Sequence, residues 1–362
     1  MPNTSIKPRI GGAGRARPVR VMIVDDSLIV RTVLSRVIEP EPDIEIVAKS
    51  GSAELAIAQL ARTPADVVLL DLEMPGMGGL EALPRILDAS SATQVLVVSS
   101  LTEAGAEHTL AALAMGAADT MLKPRAGEFD DDYRRALIGK IRALGSSEPQ
   151  AAVRAPTPPP PPVAQARRPG RAALIAIGAS TGGIHALSIF LRNLPRNLTV
   201  PILVTQHLPA SFTAAFARQV QIASGRDTVV ARDGMAIEPG RIYVASGDGH
   251  MIVEKGPRGL RIGSDHGKPA SGCTPSVDPL FASLARAAGP ETLAIVLSGM
   301  GRDGSIGAVD LAAAGGTIMV QDRASSAVWG MPGTVAEAGL ASAVLPPEQL
   351  AQRAGALAGI MA

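Results

Sequence analysis

Apolar and polar positions along this chain form two successions of short apolar runs separated by amphipathic stretches. In the first, Arg20–Asp25, Ile44–Ala48, Asp66–Leu70, Val95–Ser99 and Thr120–Leu122 are aliphatic or β-branched runs between segments of helical spacing. Five strands alternating with helices predict a parallel, doubly wound α/β sheet. In the second, Ala173–Ile177, Pro201–Thr205, Arg241–Ala245, Leu293–Leu297 and Gly316–Val320 repeat the style. Around Arg241–Ile262 the pattern turns hairpin-like, with Gly247-Asp248-Gly249 as the turn. A second doubly wound, Rossmann-like sheet is expected there, mainly parallel but mixed by an antiparallel hairpin. Between the two halves the chain is Pro/Ala-rich, with Pro158 to Pro162 unbroken. Such a segment favours an extended polyproline spacer of about 3.1 Å per residue. The organisation expected is a disordered tail over 1–18, one domain over 19–145, a linker over 146–170 and a second domain over 171–362.

Composition narrows the class. Hydrophobic residues make up 46% of the 362 but aromatics only 2%, so the cores must be built from Ala, Val, Leu and Ile. A formal charge of +1 gives no electrostatic case for nucleic acid or an anionic membrane. A single cysteine, Cys273, excludes a disulfide framework and fits a reducing cytoplasm. The basic N-terminal tail has no apolar core of a signal peptide. No apolar run approaches the ~18 residues a membrane span needs. The expectation is a cytoplasmic monomer without direct membrane insertion.

The run Ala173–Ile177 leads into Gly178-Ala179-Ser180-Thr181-Gly182-Gly183, and Ile184 to Leu194 has helical spacing. A G-x-S-x-G at a strand-to-helix turn lifts a serine hydroxyl above the sheet edge, facing the free N–H groups of a helix start. That suits a nucleophile; Ser180 as a plain N-cap is the alternative. A serine nucleophile needs a base, and of five histidines His207 closes a strand that would lie beside the first. His185 sits on the following helix and points away, His108 belongs to the first half, and His250 and His266 read as solvated. Asp303, in Ser298-Gly-Met-Gly-Arg-Asp-Gly304, is the preferred orienter, with Asp322 its rival. The Thr181 N–H and backbone near Met300 are candidate oxyanion donors. Trp329 and Met331 either line a substrate groove or cap the core. Cys273 is a candidate nucleophile only on paper, having no adjacent base, and reads as a small, partly buried side chain.

In the first half, Asp25 and Asp26 follow the first strand and Asp71 the third. Ser99 ends the fourth strand and Lys123 the fifth. In open α/β sheets ligands sit beyond these carboxyl ends. Converging carboxylates call for a divalent cation, and oxygen-only donors favour Mg²⁺. With a hydroxyl and an ammonium, the set suits phosphoryl transfer onto an aspartate.

Val24-Asp25-Asp26-Ser27, Leu70-Asp71, Met74-Pro75-Gly76-Met77 and Lys123-Pro124 resemble the two-component receiver domain over about residues 19–145. The resemblance implies Asp71 as phosphoacceptor, with a histidine kinase as phosphodonor. It also implies Asp25, Asp26 and Asp71 around Mg²⁺, Ser99 and Lys123 as switch residues, and a cis Lys123–Pro124 bond. Gly78 departs from the usual Asp before Gly79-Leu80. In the second half, Ile177-Gly-Ala-Ser-Thr-Gly-Gly183, Gln206-His207-Leu-Pro209, Pro275-Ser-Val-Asp-Pro-Leu-Phe281, Ser298-Gly-Met-Gly-Arg-Asp-Gly304 and Val328-Trp-Gly-Met-Pro332 resemble the chemotaxis-type protein-glutamate methylesterase domain. This implies Ser180 as nucleophile, His207 as base then acid, Asp303 as orienter and no cofactor in that domain. It further implies a phosphorylation-regulated serine hydrolase acting on glutamate methyl esters of chemoreceptors, with glutamine deamidation as a companion activity, and a receiver that shields the catalytic face. The competing reading is a nucleotide-binding output domain, because Gly178-x-Ser180-x-x-Gly183 is one residue away from G-x-G-x-x-G. That fold wants an acid after the next strand, where this chain has Gln206-His207.

Overall fold

The computed structural model of the protein describes residues 17–90, 92–99, 103–123, 130–145, 171–257 and 259–359. The expected linker, nearly all of the expected tail and the Lys123–Pro124 bond lie outside the described residues. The N-terminal half is a parallel sheet of β1 (Val19–Val24), β2 (Ile44–Ser50), β3 (Val67–Asp71), β4 (Gln94–Ser99) and β5 (Asp119–Leu122), in the order β2-β1-β3-β4-β5. Helices α1 (Leu28–Ile38), α2 (Ala53–Leu60), α3 (Gly79–Ala89), α4 (Glu103–Met115) and α5 (Asp131–Gly145) cover its faces. Strand alternation divides the core: Met22, Val68 and Leu70 join one apolar cluster, Val21, Ile23 and Leu69 the other.

Among its described residues the C-terminal half holds nine strands: β6 (Leu174–Ala179), β7 (Ile202–Gln206), β8 (Thr228–Val230), β9 (Ile242–Val244), β10 (His250–Gly256), β11 (Gly259–Asp265), β12 (Thr292–Val296), β13 (Thr317–Gln321) and β14 (Ala343–Leu345). Seven form one sheet, β14-β13-β12-β6-β7-β9-β8, parallel throughout. The hairpin is a separate two-stranded sheet, so the expected mixing within the main sheet does not occur. Its strands also close elsewhere than at Gly247-Asp248-Gly249: the last pair is Gly256 with Gly259, and Gly259 takes φ 117°. Gly247 instead lies against the start of a helix: a Cβ there would come within 2.9 Å of the Ala210 backbone. Helices α6 (Gly183–Asn193), α7 (Ala210–Ser224), α8 (Val277–Ala287), α9 (Ser305–Ala313), α10 (Met331–Glu337) and α11 (Pro347–Leu357) complete the unit.

The strand order reverses at β6. The path runs from β6 to β7, out to the edge strand β8 and back to β9 beside β7, and only then to β12 on β6's other side. Ligand sites in open α/β sheets gather at such a switch point, beyond the strands' carboxyl ends. Among the described residues no helix is long and apolar enough to cross a membrane.

Candidate active site

Parallel register brings the first two residues together. Gly178 pairs with Thr205 and Ala179 with Gln206, so Ser180 and His207 leave adjacent strands at the same level. The Ser180 N–H donates to Ser298 O (3.0 Å) and the His207 N–H to Ala179 O (3.1 Å), fixing both exits. Gln206 Nε2 donates to Ser180 O at 3.0 Å. Gly182 takes φ 76° at the start of α6, and a Cβ there would meet Ala327 and Ser298 at 2.6 Å. Gly299 is as constrained: a Cβ would sit 2.9 Å from that of Ser180.

His207 Nδ1 lies 3.1 Å from Ser180 Oγ, and Nε2 lies 2.7 Å from Asp303 Oδ2. An ionised carboxylate only accepts, so Nε2 carries a proton, and once the ring is neutral Nδ1 presents its lone pair to the hydroxyl. Asp303 is buried and richly supplied with donors. It accepts from Ser276 Oγ (2.7 Å) and from the N–H groups of Val277 (2.7 Å), Asp278 (3.3 Å) and Gly304 (3.0 Å). Val277 opens α8, so the carboxylate sits at the positive end of that helix. Burial raises the Asp303 pKa, but His207, the Val277 N–H and Ser276 outweigh it and hold the group well below the ordinary carboxylate range. Burial would likewise lower the His207 pKa, but Asp303 and the Cys273 thiol push it up to about 9.

Several neighbours were not legible beforehand. Ser276 and the α8 N-terminus support Asp303, although Pro275–Phe281 had no role read into it; a helix start can be recognised there, but not which carboxylate it faces. His250 is buried rather than solvated: its Nδ1 accepts from the Ser276 N–H and its Nε2 faces Gly267 O, both at 3.0 Å. Cys273 does have a base beside it, the His207 ring. Met331 is fully buried core, whereas Trp329 is half-buried and donates from Nε1 to Gln321 O at 2.9 Å. Met300 is 43% exposed at the rim, and Thr181 is buried. Asp322 caps its own turn by accepting from Ser325.

In the other sheet, carboxylate oxygens of Asp25, Asp26 and Asp71 lie within 4.8 Å of one another. Lys123 Nζ reaches Asp71 at 2.6 Å and Asp25 at 3.1 Å. Burial raises the Asp71 pKa against the opposing pull of Lys123. The Ser99 hydroxyl is buried at the end of β4 with no hydrogen-bond partner among the described residues. Gly79 is required where α3 begins, since a Cβ would stand 2.0 Å from Asp71 O. Gly78 caps α3 without a side-chain hydrogen bond.

The two halves meet at the serine turn. Thr181 Oγ1 donates to Asp119 Oδ2 and the Gly182 N–H to Ala118 O, each at 2.5 Å. His185 Nδ1 is 3.0 Å from Ala114 O, and Arg218 pairs with Glu107 at 2.7 Å. One apolar cluster runs from the first sheet through Leu110 and Leu113 of α4 into Ile184 and Leu187 of α6.

A phosphoacceptor-type sheet docked on an α/β module with serine, histidine and aspartate in line defines a response regulator with a hydrolase-type output domain. The response regulator receiver domain matches residues 21–129, and CheB methylesterase matches 175–354. The chain belongs to the CheB methylesterase family. It is 40% identical over 364 residues to the protein-glutamate methylesterase/protein-glutamine glutaminase of Azospirillum brasilense, covering 94% of this chain and 92% of that one. It is 47% identical over 340 residues to protein-glutamate methylesterase/protein-glutamine glutaminase 2 of Caulobacter vibrioides, covering 92% and 96%. The solved CheB methylesterase catalytic domain of Thermotoga maritima is similar at 33% identity and TM-score 0.50, over 51% of this chain and 98% of that one.

The His207 environment makes a direct prediction. Ring-proton NMR should find this histidine titrating near 9 rather than near 6.5. In Asp303→Asn the strongest raising partner is gone, so the value should drop well below that of the parent. An unchanged titration would show that Asp303 does not set it.

Proposed function

We propose that this chain is a phosphorylation-controlled serine hydrolase that removes methyl esters from glutamate side chains of chemoreceptors and deamidates receptor glutamines. The observation that carries the reading is the line Ser180 Oγ, His207 Nδ1, His207 Nε2, Asp303 Oδ2, with contacts of 3.1 and 2.7 Å. The Azospirillum and Caulobacter relatives, protein-glutamate methylesterase/protein-glutamine glutaminases, supply the substrate class.

Ser180 Oγ attacks the ester carbonyl carbon while His207 Nδ1 takes its proton. The carbonyl oxygen becomes an oxyanion facing the N–H groups at Thr181 and near Met300. Positioned donors of this kind typically contribute about 10²–10³ in kcat each. The imidazolium is stabilised by Asp303, and it returns the proton to the departing methoxide, which leaves as methanol. Water, deprotonated by the same Nδ1, then releases the glutamate carboxylate and frees Ser180. With glutamine the leaving group is ammonia and the remaining steps are unchanged.

Control comes through the docked receiver. Asp119 occupies the Thr181 hydroxyl and Ala118 the Gly182 N–H, so the unphosphorylated receiver ties down the turn that carries the nucleophile. Asp25, Asp26 and Asp71 form an oxygen-only donor set that fits Mg²⁺, whose charge would help a phosphoryl group approach Asp71. The phosphodonor is a histidine kinase. A phosphate on Asp71 would draw in Lys123 and the Ser99 hydroxyl, which has no hydrogen-bond partner among the described residues. These residues end β5 and β4, and β5 begins at the Asp119 latch, so the switch and the latch share one strand.

Two outcomes test this. Ser180→Ala should lose methanol release from methylated receptor membranes by several orders of magnitude while keeping Asp71 phosphorylation; retained turnover would remove the nucleophile from the mechanism. Asp119→Ala deletes the charge-assisted contact to Thr181 along with that to Lys140 of its own domain; loss of the first, worth about 1.5–3 kcal/mol, should raise the unphosphorylated rate by roughly ten- to a hundredfold. The measurement is the initial rate without phosphodonor, and a rate no higher than the parent's would count against the latch.

A further inference from the structure

Cys273 is the only cysteine of the chain and carries no step in the proposed hydrolysis. Its sulfur nevertheless stands in the catalytic cluster. Cys273 Sγ, a His207 ring nitrogen and an Asp303 carboxylate oxygen all lie within 4.8 Å of one another. The loop that delivers it is stitched to the same carboxylate. The Cys273 N–H donates to Ser271 Oγ (3.3 Å), Ser271 Oγ meets Ser276 Oγ (3.3 Å), and Ser276 Oγ donates to Asp303. The thiol itself is weakly held, with Ser271 O at 3.8 Å. Cys273 is half-buried and the His207 side chain is 15% exposed, so solutes reach both.

Sulfur, imidazole nitrogen and carboxylate oxygen are the three donor types that hold Zn²⁺, and three protein ligands with a fourth position open form a common site for it. Zinc–ligand bonds of about 2.0–2.3 Å place tetrahedral ligands roughly 3.5 Å apart, so a pair at the 4.8 Å limit would need to close by about 1.3 Å. The acidic cluster of the receiver differs in kind, having oxygen donors alone. A thiolate-containing set selects a softer ion than Mg²⁺.

We propose that Cys273, His207 and Asp303 form a reversible inhibitory site for Zn²⁺. The inference rests on the reading of His207 as the base. Coordination releases the thiol proton to solvent, leaves sulfur as thiolate and engages the lone pair of one His207 nitrogen; one ring proton stays on the other nitrogen, and a second, where the ring is charged, also leaves to solvent. No electron is transferred and no bond of the chain is broken. With the metal in place the ring cannot take the Ser180 proton, and turnover stops until a chelator removes the ion.

The test uses the reduced full-length protein in saturating Mg²⁺, which fills the acidic cluster. Co²⁺ is the spectroscopic probe and Zn²⁺ the inhibitor. The parent should bind one Co²⁺ with a thiolate-to-cobalt charge-transfer band that Zn²⁺ bleaches. One equivalent of Zn²⁺ should cut ester turnover at least about tenfold, reversibly with EDTA. Cys273→Ser should lose the band and need at least about tenfold more Zn²⁺ for the same loss relative to its own metal-free rate, since even supporting residues of a metal site change affinity by 10–100-fold. Ser180→Ala should keep the band, so coordination is read without turnover. Absence of the band in the parent, or equal zinc sensitivity in Cys273→Ser, would overturn the site. Full turnover with the band present would overturn the inhibition and leave the assignment of His207 as base standing, because the band reports only the thiolate.

Discussion

A carboxylate buried at the end of a sheet is the constraint on which the catalytic half depends. Asp303 lies out of water, where an unpaired charge would cost several kcal/mol. Its compensation comes from two directions. The N-terminus of α8, its Ser276 cap and Gly304 supply fixed donors, and His207 supplies a charge that can come and go. Because the fixed donors remain in place, the carboxylate does not need to rotate when the imidazole changes protonation. The ring is therefore held in one tautomer, with Nδ1 aimed at Ser180. His250 extends the support outward by accepting the Ser276 N–H. Gly178 permits the approach of α8: a Cβ there would stand 2.5 Å from Val277.

The same edge of the sheet is where the receiver docks, and the contact has two distinct parts. Apolar residues of α4 and α6 provide burial, which is not directional and tolerates small displacements. The hydrogen bonds from Thr181 and Gly182 to Asp119 and Ala118 are directional, short and placed beside the nucleophile. A small shift of β5 would break the second set before the first. Asp119 also holds Lys140 of its own domain, so the latch carboxylate is anchored within the receiver and moves with it.

Much of this was legible in the sequence because parallel sheets advertise themselves as short, wholly apolar runs. The strands from β1 to β7, with β9, β12 and β13, appear as such runs, some of them, such as β2 and β5, with polar residues among the apolar ones. Once β6 and β7 are neighbours, register alone sets Ser180 beside His207. The three-residue edge strands β8 and β14 escaped notice because half-exposed segments of that length carry no periodic signal. The hairpin turn was misplaced because Gly247-Asp248-Gly249 has turn composition, yet its glycines serve close packing at the end of β9. His250 reads as solvated from polar neighbours, while its burial depends on Gly267 and Ser276, which lie 17 and 26 residues away. Cys273 sits in a loop whose position no strand register fixes, so its approach to His207 could only be seen in three dimensions.

The central claim is that Ser180, His207 and Asp303 act as one unit. Groups that act as a unit are non-additive when removed together. The measurement is methanol release from methylated receptors by Ser180→Ala, Asp303→Asn and the double variant, each checked for an unchanged fold. The double variant should retain the same residual rate as Ser180→Ala alone, because an orienter has nothing to orient once the nucleophile is gone. A further loss in the double variant as large as that of Asp303→Asn in the parent would contradict the claim and assign Asp303 a separate role.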